Sequence, residues 1–302
     1  MTLGSWLLLV LLLLVQGRPG WAEAAIYVGG PLYSGGPGVI QDLDGSGFRT
    51  VVAWTLHVTA GGDLRFNDEA LVTAGRYVGD PAWPGRLASL KGPGNVRQLL
   101  FSVGSAEVQD FHHIQTLIGR QGTGPGSILN RAFSALKAAI PVTDGIDLDD
   151  EDLLDPTTTV AFSRMLGGLG LRVSFCAFGD PQFWINCLAV LESQAPGLVG
   201  ALRLQCYAGG AGNDPAAWIR QVQARMGPEF DAQGWVQPGR WCRHGRGCRL
   251  GNDPDAMEAQ FHAWKPAGIR HGFLWLYDDL LACYDHGRAA DYAAAIRQGL
   301  LD

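Results

Sequence analysis

Short apolar stretches recur along the chain at Ile26–Gly29, Thr50–Val58, Val96–Val103, Gly145–Asp149, Leu171–Phe178, Leu202–Tyr207, Trp241–Cys242 and Gly272–Tyr277. Each has the length of a buried strand. Between them lie segments whose apolar residues return at helical intervals: Phe162, Leu166 and Leu169; Trp184, Leu188 and Leu191; Trp218 and Val222; Met257, Phe261 and Trp264. Four helix starts share one device. Asp155-Pro156, Asp180-Pro181, Asp214-Pro215 and Asp253-Pro254 each put an N-capping carboxylate before a proline suited to the first helical position. Strand and helix in alternation predict parallel strands joined by right-handed crossovers. Eight such units in roughly 280 residues predict a closed (β/α)8 TIM barrel in preference to an open doubly wound sheet. No linker divides the chain. The Gly/Pro-rich piece Gly75–Gly94 and the stretch Gln121–Gly126 read as loops between early units.

One apolar run stands outside this pattern. Trp6–Val15 has the sequence WLLLVLLLLV, shorter than the roughly 20 residues that span a bilayer. The breakers Gly17, Pro19 and Gly20 follow it, then Ala22-Glu23-Ala24, an A-x-A pattern. Together they predict a secretory signal peptide over residues 1–24, cleaved after Ala24, with a single barrel domain over 25–302. The segment Met1–Ser5 has no Lys or Arg, so the terminal amine supplies its charge, and an uncleaved anchor is the competing reading. No Cys follows the run, so nothing indicates a lipoprotein. A secreted or periplasmic location and no stable membrane insertion are expected.

Export is compatible with the six cysteines, Cys176, Cys187, Cys206, Cys242, Cys248 and Cys283, because disulfides persist in oxidising compartments. Cys242 and Cys248 share one polar loop, CRHGRGC, and are the pair expected to join. Zinc is the alternative, but the spacing matches no Cys/His template and His244 lacks a partner set. No metal and no organic cofactor are expected.

Composition narrows the function classes. The 302 residues carry 29 Asp+Glu against 23 Lys+Arg, a net charge of −6, with 47% hydrophobic and 17% charged positions. That balance excludes a disordered chain and a basic nucleic-acid binder. The stretch Asp144-Gly145-Ile146-Asp147-Leu148-Asp149-Asp150-Glu151 is the most informative. In a strand, Asp147, Asp149 and Glu151 share one face and Ile146 and Leu148 the other. In a barrel the apolar pair packs outward, and the three acids project inward toward the carboxyl end, where barrel active sites are built. Three neighbouring carboxyls cannot all ionise cheaply, so at least one should have a raised pKa and act as a general acid. A solvated acidic turn and a calcium loop are the bland readings. The alternating apolar residues oppose the first, and the lack of an EF-hand pattern opposes the second.

The same stretch, DGIDLDDE, resembles the DGxDxDxE motif of glycoside hydrolase family 18, the chitinases and endo-β-N-acetylglucosaminidases. Other segments are similar to the family in family order: Ile26-Tyr27 to its first strand, Ser102-Val103-Gly104-Ser105 to its third-strand SxGG, Gln205-Cys206-Tyr207 to its sixth-strand Q-x-Y, and Trp275 to the tryptophan flooring the cleft. The resemblance implies that Glu151 protonates the glycosidic oxygen, Asp149 orients the substrate's 2-acetamido group, Tyr207 holds it and Asp147 tunes Asp149 from below. It also implies substrate contacts for Tyr27, Gln205, Trp275, Ser102, Gly104 and Asp144. The chain departs from the family pattern in Ser105, in Asp150 before the acid, in lacking an Asp after Tyr207 and in a shortened Gly272–Trp275.

Trp54 and Tyr277 are balanced between a sugar-stacking platform and the core. Trp184, Trp218 and Trp264 read as packing residues, and His112-His113 as solvated or capping histidines. No phosphate loop ends the Gly-rich stretches, and no G-x-S-x-G supports a lipase-like nucleophile. The expectation is a monomeric, retaining glycosidase acting on an N-acetylglucosamine-containing oligo- or polysaccharide. A chitinase-like carbohydrate-binding or inhibitor protein that no longer cuts is the rival.

Overall fold

The computed structural model describes residues 22–92, 94 and 96–301. The expected core of the signal peptide, Trp6–Val15, lies outside them. Eleven strands form one sheet: β1 (Glu23–Val28), β2 (Thr50–Val58), β3 (Leu64–Phe66), β4 (Glu69–Thr73), β5 (Arg76–Tyr77), β6 (Gln98–Gly104), β7 (Gly145–Asp149), β8 (Arg172–Ala177), β9 (Val199–Gln205), β10 (Val236–Trp241) and β11 (His271–Trp275). Going round from β1, the parallel neighbours are β2, β6, β7, β8, β9, β10 and β11, and β11 pairs with β1 again. This closes the predicted single-domain (β/α)8 barrel. Glu23 and Ala24 pair with His271 and Gly272, so the expected cleavage point after Ala24 falls inside β1.

All eight apolar stretches overlap a barrel strand, though β10 does so only at Trp241. Its sequence, VQPGRW, hides the signal because Pro238 lacks an N–H and Gly239 lacks a side chain. Gly239 is there for space: a Cβ would come within 2.2 Å of the Phe273 ring on the adjacent strand.

The four Asp-Pro helix starts behave as their chemistry demands. Asp155 accepts from the Thr158 amide at 2.8 Å, Asp180 from Phe183 at 3.3 Å, Asp214 from Ala216 at 3.0 Å and Asp253 from Ala256 at 2.9 Å. Each cap satisfies an amide with no partner inside its helix and contributes about 1 kcal/mol. The helices then bury Phe162, Leu166, Trp184, Leu188, Leu191, Trp218, Val222, Met257 and Phe261 against the outer face of the barrel, with Leu169 and Trp264 half-buried at the margin.

Two features depart from expectation. Gly75–Gly94 is not a loop: it contains β5 and a helix, Trp83–Leu90, anchored by a Trp83 that is fully buried. With β3 and β4, β5 makes an antiparallel meander on the extension of β2, where Leu56 and Val58 face Phe66 and Leu64. Strands this short carry no readable period. The disulfide joins Cys248 to Cys283, with Cα atoms 5.7 Å apart, and not Cys242 to Cys248. The loop doubles back through an antiparallel bridge between His244 and Leu250, leaving Cys248 outside. Cys242 follows β10 directly, buried, with its thiol on the Leu276 carbonyl. Cys176, Cys187, Cys206 and Cys242 are free and buried.

Candidate active site

Alternation along β7 organises the site. Ile146 and Leu148 are fully buried in the layer beneath the helices, while Asp147 and Asp149 turn to the interior. Asp147 is met there by donors from four other strands. Its Oδ2 accepts from the Tyr27 hydroxyl at 2.8 Å and the Ser102 hydroxyl at 3.0 Å, and its Oδ1 from the Ser174 hydroxyl at 2.5 Å and Arg203 Nη1 at 3.0 Å. A carboxylate offers about four lone-pair sites, so none is left over.

One inward position nearer the carboxyl end, Asp149 is 1% exposed. It accepts from Trp54 Nε1 at 3.3 Å and Gln205 Nε2 at 3.3 Å. The same Gln205 nitrogen donates to Glu151 Oε1 at 3.0 Å. Glu151 is half-buried just past the strand. Burial pushes the Asp149 carboxyl well above the usual carboxylate range, and the charges of Glu151 and Asp147 push it further.

Aromatic rings enclose the acids. Trp54, Trp241 and Trp275 are half-buried. Trp54 meets Trp275 edge-on at 4.8 Å, and Tyr207 stacks on Trp275 at 5.8 Å with the planes 24° apart. Trp241 approaches Tyr207 edge-on at 5.8 Å and carries the His244 ring on its own face at 3.8 Å. The Trp54–Thr55 and Trp275–Leu276 peptide bonds are cis. The Tyr207 hydroxyl is buried without a hydrogen-bond partner among the described residues. Burial raises its pKa, so at neutral pH it stands as a donor lacking an acceptor.

The structure therefore brings Asp147, Asp149, Glu151, Gln205, Tyr207, Tyr27 and Trp275 into one group. Ser102 joins it from beneath: fully buried, it reaches Asp147 and not the cleft. Gly104 serves backbone approach. At φ +99°, it sits where a Cβ would come within 2.3 Å of the Asp149 carbonyl oxygen.

Asp144 is not part of the group. It lies at the amino end of the barrel, paired with Lys91 at 2.6 Å and accepting from the Leu99 amide at 2.7 Å. It borders a cavity of about 250 Å³ there, with Thr50, Gln98, Arg172, Gln237 and His271. Asp150 also points away, accepting from the amides of Asp152, Leu153 and Leu154 and so shaping the turn after β7.

Ser174 and Arg203 are the functional residues that sequence reasoning missed. Their signal was alternation again: Leu202 and Leu204 face the helices, so Arg203 and Gln205 face inward.

No family model matches the chain, and no curated protein resembles it in sequence. Solved structures do. A family 18 chitinase from Pseudoalteromonas aurantia superposes with a TM-score of 0.63 at 11% identity, over 92% of this chain and 100% of its own. A chitinase from Bacteroides thetaiotaomicron gives 0.61 at 13% identity, over 92% and 97%. The spore cortex-lytic enzyme SleL of Bacillus megaterium gives 0.57 at 10% identity, over 94% and 75%. At such identities the likeness shows the fold, a family 18 chitinase-like barrel.

Proposed function

We propose that the chain is a retaining glycoside hydrolase that cleaves β-1,4-linked N-acetylglucosaminyl bonds in chitin, chito-oligosaccharides or the N-glycan core. The observation that carries this reading is the Gln205 amide holding Asp149 and Glu151 side by side, next to an unpartnered Tyr207 hydroxyl. They stand at the barrel end where loops build active sites.

In the proposed reaction Glu151 gives its proton to the glycosidic oxygen as the bond from that oxygen to C1 breaks. The substrate's own acetamido carbonyl oxygen attacks C1 from the opposite face and forms an oxazolinium ion. Asp149 accepts the acetamide N–H, and Tyr207 donates to the acetamido oxygen. Water then attacks C1 and loses a proton to the Glu151 carboxylate, which regenerates the acid and gives net retention. Substrate-assisted hydrolysis of this kind needs no second protein nucleophile. Trp54, Trp241 and Trp275 offer ring faces and edges to the apolar side of the sugar.

Glu151→Gln tests the assignment. The variant should release no reducing ends from chitin oligomers, N-glycans or peptidoglycan while still binding them, and turnover equal to wild type would remove Glu151 from its role. A thiazoline analogue of the oxazolinium ion should inhibit, and cellulose oligomers should be neither cut nor competitive. Saturable binding by the wild type with no product at any concentration would make the protein a lectin-type barrel. The same reading has the protein act as an exported monomer with residues 1–24 removed. N-terminal sequencing of the mature protein should then begin at Ala25, and a start upstream would keep Glu23 and Ala24 in β1.

A further inference from the structure

We propose that the cavity at the amino end of the barrel is a binding site for a small oxyanion of phosphate size, held by Arg203 and Arg172. It lies at the end opposite the acids, and the inference does not rest on the glycosidase reading.

The cavity, of about 250 Å³, is bordered by the first residues of five strands: Glu23 of β1, Thr50 of β2, Gln98 of β6, Arg172 of β8 and His271 of β11. Ala24, Ala25, Gly200, Ala201 and Gly234 line it too, and residues this small leave the space unfilled. A Cβ on Gly200 would stand 3.5 Å from Arg172 Nη2, so that guanidinium lies over a lining glycine. The volume is below the roughly 300–1,000 Å³ of sites for drug-sized ligands. No Trp, Tyr or Phe is among the described residues lining it, so a small ion suits it better than a sugar chain.

The hydrogen-bonding capacity left over in the lining is mostly donor. Arg203 borders the cavity with a side chain only 3% exposed. Its Nη1 donates to Asp147 at 3.0 Å, but its buried Nε has no partner among the described residues. A guanidinium has donors only, so that N–H calls for an acceptor. The Thr50 hydroxyl donates to Gln98 Oε1 at 3.2 Å, which leaves the Gln98 amide N–H groups unspent. The Glu23 amide donates to His271 Nδ1 at 3.3 Å, and burial lowers the pKa of that ring, so at neutral pH its single proton sits on Nε2. Gln237 gives its N–H to the Gly234 carbonyl at 3.3 Å and keeps Oε1, an acceptor for the O–H of hydrogen phosphate. Charge points the same way. Asp147 is matched by Arg203, Asp144 by Lys91 and Glu23 by Arg97. Arg172, with Nη2 on the Gly197 carbonyl at 3.1 Å, meets no carboxylate among the described residues. Hydrogen bonds from guanidinium to phosphate are among the strong ones.

Titration of histidine-labelled protein with inorganic phosphate near neutral pH, with sodium chloride holding the ionic strength constant, tests this by NMR without reference to activity. The ring nitrogen signals of His271, identified by their loss in His271→Gln, should move and saturate, and the urea midpoint should rise with the logarithm of phosphate concentration. Arg172→Gln, at an exposed side chain, should weaken phosphate about tenfold or more. Arg203→Met should weaken it as well; because that variant also leaves Asp147 without its cation, Arg172→Gln decides the matter if Arg203→Met does not fold. Glu151→Gln should bind phosphate as the wild type does, and a loss of binding there would place the ion among the acids and overturn the proposal. A His271 shift that chloride reproduces, or no saturation by about 10 mM phosphate, ten times a Kd of about 1 mM, would leave the cavity to water and overturn it. Unchanged phosphate affinity in Arg172→Gln would overturn it too.

Discussion

Gln205 donates to Glu151 across 3.0 Å, although 54 positions of chain separate them. The contact exists because β9 stands two strands round the barrel from β7 and both send alternate residues inward. Its second bond from the same nitrogen, to Asp149 at 3.3 Å, fixes the two acids relative to each other. Gln205→Leu removes both bonds and leaves the barrel's outer packing untouched. Its kcat should fall about 10- to 100-fold with KM changed by less than about threefold, since orientation matters most in the transition state. Steady-state rates on chitin oligomers decide it, and a variant with wild-type kcat would deny Gln205 any orienting part.

Tyr207 makes a sharper separation of stability from activity. A buried hydroxyl without a partner costs about 1–3 kcal/mol, so Tyr207→Phe should unfold in urea at the same concentration as wild type or higher. The same change should lower kcat about 10²-fold, the loss expected when one donor to a developing charge is removed. A variant that is destabilised yet fully active would show that the hydroxyl supports the fold.

The raised pKa of Asp149 makes a statement about stability. In the folded protein this carboxyl holds its proton to higher pH than in the unfolded chain, where it titrates near about 3.9. The native state therefore binds more protons above that value, and the contribution is fully present below it and lost as pH rises through the folded pKa. Asp149→Asn lacks this loss. Urea unfolding of both proteins from about pH 4 to about pH 8 should show the wild type weakening relative to the variant as pH rises. A constant difference would mean that Asp149 titrates alike in both states.

Asp155 and Asp253 run the opposite way. The Thr158 hydroxyl and amide hold the Asp155 carboxyl below its usual range, and the Ala256 amide with Arg243 does the same for Asp253. Their stabilisation is present above the unfolded carboxylate pKa and fades as pH falls through the folded one. Asp155→Ala should cost about 1 kcal/mol near neutral pH and progressively less in acid. A loss that stays the same at acid pH would show that the carboxylate's charge is irrelevant to the cap.

Much of this site was legible in parity. Asp147, Asp149 and Glu151 share one face of β7, and the four Asp-Pro pairs are local devices whose partners lie two or three residues away. Asp144 shows how motif spacing misleads where parity does not. It alternates with Ile146 and Leu148, on the outward face, and three residues at about 3.3 Å each put it roughly 10 Å below Asp147. Asp150 shares that outward parity and turns into the following loop. Arg203 and Ser174 were harder to read: alternation turns them inward, but their contact with Asp147 depends on which strands lie across the barrel, and sequence spacing alone does not give that register. The disulfide failed in the same way, because nearness along the chain stood in for nearness in space.

That disulfide makes the last prediction. Cys248 and Cys283 lie 35 residues apart, and their bond ties the loop after β10 to the segment after β11, both at the barrel end that carries the acids. Closing a loop of that length removes unfolded-state entropy worth about 3–4 kcal/mol on the chain-entropy account. Cys283→Ser should lower the urea midpoint accordingly, whereas Cys242→Ser, at a thiol that is free and buried, should leave a disulfide intact by thiol counting. The loop also carries His244, whose ring covers one face of Trp241, so freeing it should raise KM for chitin oligomers more than it lowers kcat. Peptide mapping that found Cys242 joined to Cys248 would reverse the pairing, and an unchanged KM in Cys283→Ser would separate the loop from the cleft.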